Sequence, residues 1–179
     1  CMETKATRLE KLSSYVRVPA FVRISKQSVL NVDCVPNCEQ YIVRGVSEME
    51  DQKQSSHAGQ FITIGPVKRE GIVDAIKRVF QQATAIEVIV QEYRQGISGV
   101  AFCFSEGFFY IEYSAYPEGV TSGKNRPFVA IFPARQDSQY EKLHQELLKI
   151  YTQFGPSDVE FIGINDPVFV QVRPITSEF

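Results

Sequence analysis

The stretch Asp158-Val159-Glu160-Phe161-Ile162-Gly163-Ile164-Asn165-Asp166-Pro167-Val168-Phe169-Val170-Gln171-Val172-Arg173-Pro174-Ile175-Thr176 decides how this chain is read. Two short β-rich runs flank an Asn-Asp-Pro turn, the pattern of a hairpin. Residues two apart on a strand share a face, so Asp158 pairs with Glu160 and Gln171 with Arg173. Hairpin pairing brings these faces side by side. Two carboxylates, an amide and a guanidinium then converge on one small area. Carboxylate and amide oxygens suit Mg²⁺, and the fork of an arginine suits phosphate. The combination fits an Mg-nucleotide better than a protein core. The plainer alternative is an edge hairpin whose polar residues face water.

Working outward, the chain has 179 residues, enough for one domain or for two lobes sharing a cleft. With 44% hydrophobic and 22% charged residues it has the composition of a globular protein. The net charge of -2 gives no reason to expect a nucleic-acid or membrane-surface partner. No apolar run approaches the roughly 18 residues that a bilayer span needs. Cys1 stands where a Met is usual and reads as a processed or trimmed start. Cys1, Cys34, Cys38 and Cys103 lack zinc-type pairing, since the Cys34/Cys38 spacing has no second ligand pair. Free thiols in a reducing cytoplasm are the expectation.

Lys5 to Ser14 places Ala6, Leu9 and Leu12 at helical spacing, and Ala20 to Ile24 follows as a strand. Tyr41 to Val43 reads as a buried strand ending at Arg44. Ser47 to Gln60 is polar and reads as a long mobile loop. Phe61 to Ile64 reads as a strand stopped by Gly65-Pro66. Glu70 to Gln82 puts Ile72, Val73, Ile76, Val79 and Phe80 on one helical face. Ile86 to Val90 is a β-branched strand with the polar end Gln91-Glu92-Tyr93-Arg94. Val100 to Phe104, Phe108 to Tyr113 and Phe128 to Phe132 continue as antiparallel β. Tyr140 to Phe154 is a helix with Leu143, Leu147, Ile150 and Phe154 on one stripe, ended by Gly155-Pro156. Strands and helices mix without strict βαβ alternation, so the expected class is α+β, mostly antiparallel β with packed helices.

In this order the motifs resemble the N-terminal nucleotide-binding module of pyruvate phosphate dikinase, phosphoenolpyruvate synthase and rifampin phosphotransferase. Thr4 to Leu9 and Val18 to Val22 are similar to that family's lysine helix and following strand. Val43-Arg44, then Glu48, Asp51 and Ser56-His57-Ala58-Gly59-Gln60-Phe61, are similar to its phosphate loop. Val88 to Tyr93 looks like its hinge strand. Ser98 to Phe102, Glu118 to Gly123, Asp158-Val159-Glu160 and Gln171 to Thr176 follow in place. Three departures stand out. Glu3-Thr4 replace two glycines before the lysine. Gly45-Val46 replace small residues beside the arginine. The stretch from Ile24 to Tyr41 is shorter than the family's first-lobe insert.

The resemblance implies a two-lobed ATP-grasp fold that clamps ATP, with residues 1–179 as a single module. Lobe one would span about 1–87, the hinge about 88–94 and lobe two about 95–179. It implies Lys5, Arg44 and Arg173 as the catalytic cations on the phosphates and Gln91, Glu92 and Tyr93 at the adenine edge. Glu160 and Gln171 would hold Mg²⁺, with Asp158 beside them or one shell out. It implies transfer of a phosphoryl group to a histidine on a carrier domain or a separate partner protein, which serves a small-molecule acceptor. The sequence ends at Phe179, where the family continues into its swivelling phosphohistidine domain, so the carrier is expected elsewhere. His57 sits in a Ser-His-Ala context like that of a carrier histidine, but its position before Gly59-Gln60-Phe61 and a strand argues for a loop role. Two further readings stand beside this one. The first is a degenerate nucleotide-binding module acting by interaction. The second is a ligase joining a carboxylate to an amine, against which the Gln-x-Arg-Pro-Ile-Thr ending speaks.

Overall fold

A computed structural model describes residues 3–28, 31–48, 62–106, 108–114, 128–132 and 138–175. The chain divides into two compact units, one of residues 1–7 and 19–93, the other of residues 8–18 and 94–179. The first helix, α1 (Lys5–Ser13), is therefore divided, its opening residues grouping with the first unit and the rest with the second.

The first unit is built on an antiparallel sheet in the order β1-β4-β2-β3, from β1 (Phe21–Ser25), β2 (Tyr41–Val46), β3 (Thr63–Val67) and β4 (Glu87–Glu92). Helix α2 (Ile72–Phe80) buries Ile72, Ala75, Ile76 and Val79, the i, i+3, i+4, i+7 stripe of an amphipathic helix. They join Ile24, Tyr41, Val43, Val88 and Val90 in one core. The central strands β2 and β4 are covered on both faces, so their apolar runs are continuous. Strands β2 and β3 both run past the ends that the sequence suggests. Strand β2 continues past Arg44 to Val46, so Arg44 lies in mid-strand, opposite Ile89 and Thr63. Strand β3 runs through Gly65-Pro66 instead of stopping there. It is an edge strand, where a residue without an N–H is tolerated. Gly65 has φ +151°, and a Cβ there would lie 2.8 Å from the Tyr41 carbonyl oxygen, so the close approach to β2 requires glycine.

The second unit carries a five-stranded antiparallel sheet in the order β7-β6-β5-β8-β9. Its strands are β5 (Ser98–Ser105), β6 (Phe108–Ser114), β7 (Phe128–Phe132), β8 (Ser157–Ile162) and β9 (Val168–Pro174). Helix α3 (Glu141–Phe154) buries Leu143, Leu147 and Ile150. Its His144 ring packs on Phe109 and Phe132 at 5.8 and 4.8 Å between centroids. That side of the sheet, with Ala101, Cys103, Phe109, Ile111, Val159, Phe161 and Val172, is the buried one. Phe161 lies so close to Gly99 that a Cβ there would be 2.4 Å from its ring. Arg8 donates from Nε to the Val172 carbonyl at 3.1 Å, and the Lys11 ammonium sits 4.8 Å from the Phe154 ring centroid.

Candidate functional site

The β8–β9 pair has the register that the hairpin reading requires. Asp158 lies opposite Arg173, and Glu160 opposite Gln171. The alternation in β8 is regular, with Ser157, Val159 and Phe161 buried and Asp158, Glu160 and Ile162 more open. In β9 the register steps by one residue at Val170. Strict alternation would place Phe169 on the same side as Gln171. The step turns Phe169 opposite Phe161 and fully into the core while Gln171 and Arg173 stay on the open side.

The four side chains differ in what holds them. Arg173 donates from Nε to Asp158 Oδ1 at 3.1 Å, a pair in which the side chains are 46% and 20% exposed. Glu160 and Gln171 are half-buried, and the side chains make no hydrogen bond among the described residues. Their oxygens are therefore open acceptors on a solvent-accessible sheet face. Register extends this face across the sheet. Arg173, Asp158, Phe102, Tyr110 and Ile131 form one cross-strand row. Gln171, Glu160, Val100, Glu112 and Val129 form the next. The Tyr110 hydroxyl donates to Glu112 Oε1 at 2.9 Å, and that bond raises the Tyr110 pKa. Glu112 is a third open-face carboxylate, after Asp158 and Glu160, and strand periodicity alone does not connect it to them. Only the β5–β6 register, set by the turn near Ser105, places it there. On the opposite face, burial and then the Asp158 charge push the Cys103 thiol up to about 12, which removes it as a nucleophile.

The first-unit candidates are engaged within the protein. Arg44 is 7% exposed and donates from Nη2 to Gln91 Oε1 at 2.8 Å. Gln91 is 1% exposed and donates from Nε2 to the Pro19 carbonyl at 3.1 Å. Both ends of the Gln91 amide are thus used, and Gln91 is a buried strand residue, not the polar strand end expected. The Glu92 N–H bonds Ala20 O at 2.8 Å and the Tyr93 N–H bonds Gln40 O at 2.9 Å. Lys5 Nζ reaches Gly45 O at 3.4 Å. Asp51, the Ser56 to Phe61 segment with His57, Glu118 to Gly123 and Thr176 lie outside the described residues. Among the described residues no group of three or more His, Cys, Asp or Glu gathers for a metal.

No family model matches this chain, and no curated protein matches it. Solved structures do. The D-alanine–D-alanine ligase of Bacillus anthracis, solved with ATP, is similar at 14% identity and a TM-score of 0.62, over 97% of this chain and 54% of that one. The D-alanine–D-alanine ligase of Helicobacter pylori is similar at 15% identity and a TM-score of 0.60, over 97% and 54%. The VanG D-Ala:D-Ser ligase of Enterococcus faecalis is similar at 19% identity and a TM-score of 0.60, over 98% and 52%. At these identities the likeness shows the fold, which is the α+β ATP-grasp fold. The chain spans about half the length of these structures. These structures show the ATP-grasp fold and do not show the pyruvate phosphate dikinase family that the motifs resemble. No helix among the described residues is long and apolar enough to cross a membrane.

Proposed function

We propose that this chain binds Mg-ATP, with the open face of β8–β9 taking the metal and the phosphates. The observation that carries the reading is the Glu160–Gln171 pair beside Arg173. Two oxygen donors stand directly opposite each other on paired strands, open to ligands and next to a guanidinium with its outer edge exposed. Hard oxygen donors are the donor set that Mg²⁺ prefers, and it keeps waters and phosphate oxygens for its other positions. The arginine fork suits the phosphate oxygens that such a metal leaves uncovered. When bound, the metal would offset phosphate charge. Glu160 and Gln171 would anchor it, and Arg173 would orient the phosphate chain.

For the phosphoryl acceptor, the ligases among the similar structures favour a carboxylate, activated as an acyl phosphate and then joined to an amine. The second reading is transfer to a carrier histidine of a dikinase-type enzyme, favoured by the Gln171-Val172-Arg173-Pro174-Ile175-Thr176 ending. A cytoplasmic setting accords with either.

Isothermal titration of ATP with and without Mg²⁺ tests the binding reading. Tight binding with the metal, and at least tenfold weaker binding without it or in Glu160→Ala, is expected. Equal affinity in both conditions removes the metal role. The acceptor readings separate with hydroxylamine, which traps an acyl phosphate as a hydroxamate. Hydroxamate formed with D-alanine and ATP supports ligation. Acid-labile label on a partner histidine, without hydroxamate, supports the carrier reading.

A further inference from the structure

Among the described residues, the ion pairs Arg23–Glu87 and Arg173–Asp158, each between paired strands, are built differently. Arg23 meets Glu87 with two bonds, Nε to Oε2 at 3.1 Å and Nη2 to Oε1 at 2.7 Å, so that one edge of the guanidinium is closed. Arg173 meets Asp158 with one bond, Nε to Oδ1 at 3.1 Å, and keeps a side chain that is 46% exposed. A contact at Nε fixes the plane of the guanidinium and leaves both Nη groups on its outer edge. Among the described residues neither Nη group of Arg173 has a partner. That outer edge is the one that binds two phosphate oxygens side by side. Asp158 reaches this position because it lies directly opposite Arg173, one row along from Glu160 and Gln171.

From this geometry we infer that Asp158 is a positioning residue for Arg173 and stands outside the Mg²⁺ ligand set. The inference rests on the Mg-ATP reading above and adds a division of labour to it. Asp158 holds the guanidinium plane, Arg173 takes phosphate, and Glu160 with Gln171 takes the metal. A carboxylate already neutralised by an arginine at 3.1 Å is a poor ligand for a second cation. A long cation anchored at its Nε loses less side-chain freedom on binding than one that is untethered.

The test measures Mg-ATP affinity by calorimetry, over a series of Mg²⁺ concentrations, for the full chain and its Asp158→Ala, Asp158→Asn, Arg173→Ala and Asp158→Ala/Arg173→Ala variants. Asp158→Ala is expected to weaken Mg-ATP about tenfold. Asp158→Asn keeps an oxygen acceptor for Nε, so most of that loss should be recovered. The Mg²⁺ concentration for half-maximal effect should stay as in the unaltered chain in both variants. In the Arg173→Ala background the Asp158 change should cost nothing further. In the ligand-free protein, the Nε–H resonance of Arg173 should be slow to exchange, and fast in Asp158→Ala. A shift of the half-maximal Mg²⁺ concentration by tenfold or more in Asp158→Asn makes Asp158 a ligand and overturns the inference. Additive losses in the double variant overturn it as well. Failure of the unaltered chain to bind Mg-ATP, or an Arg173→Ala variant with undiminished affinity, instead removes the binding reading and the positioning role with it. Asp158→Asn conserves size and keeps the comparison intact if Asp158→Ala fails to fold.

Discussion

The two sheets use the same polar vocabulary to opposite ends. In the first, Arg44, Gln91, Arg23 and Glu87 lie within a buried or half-buried surface and satisfy one another. In the second, Asp158, Glu160, Gln171 and Arg173 stand on an open face, and only one bond joins any two of them. The first arrangement stabilises its sheet, because a polar group taken from water must find a partner. The second adds little to stability and leaves acceptors and donors for a ligand. An arginine and a glutamine close together on a sheet therefore mean different things in the two places, and burial separates the meanings.

The strongest way to break this comparison is to delete matched glutamines. Gln91→Leu leaves the Arg44 Nη2 donor without its 2.8 Å acceptor and the Pro19 carbonyl without its donor. It should cost about 2–3 kcal/mol. Gln171→Leu removes no bond within the described residues and should change ligand-free stability by less than about 0.5 kcal/mol. Urea unfolding of both variants measures the contrast, and equal losses would erase the distinction between the two sheets. Matched arginines give a smaller difference. Arg23→Ala breaks a doubly bonded pair whose side chains are 27% and 11% exposed and should cost about 1–2 kcal/mol. Arg173→Ala breaks a solvent-screened pair and should cost between zero and about 1 kcal/mol, while Mg-ATP affinity falls. Arg173→Ala as destabilising as Arg23→Ala would mark Arg173 as a structural residue.

The smallest effect lies at the β8–β9 turn. The hydrogen bond from Arg17, at 2.6 Å, and then its charge lower the Asp166 pKa below 3.8. A carboxyl whose folded pKa is depressed adds stability that is present above its unfolded pKa and lost as pH falls through the folded value. Asp166→Asn should therefore flatten the fall in stability slightly below about pH 4 and leave the slope near pH 7 as it was. Both groups are largely exposed, so salt should shrink the effect. Denaturant unfolding across that range, at low and high salt, gives the answer. A variant that follows the unaltered chain at every pH would make this a turn held by backbone alone.

Much of the architecture was legible because it depends on local periodicity. The α2 stripe, the α3 stripe and the alternating β8 run each announce their element within one or two turns or a few residues. The hairpin convergence was also legible, since a period of two and a short turn determine which side chains can meet. From sequence, Arg44 reads as a strand end because the polar residue in Tyr41-Ile42-Val43-Arg44 looks like an exit from the core. Pairing with β4 and β3 on either side carried the strand on to Val46. Gln91 read as a polar terminus for the same reason, although Arg44 and Pro19 make its burial possible. Neither partner is near it in the chain.

By itself, the sequence determined the element types, the α+β class and the set of residues that could converge at the β8–β9 hairpin. These follow from spacing along one segment, where a strand repeats every two residues and a helix every 3.6. Only the tertiary structure decided which polar residues remain open. It placed Arg44 and Gln91 inside the first sheet, moved Phe169 into the second core by one step at Val170, and aligned Glu112 with Glu160 through β5. Exposure and partnership are properties of neighbours distant in the chain, and strand pairing between such neighbours has no local period to reveal it.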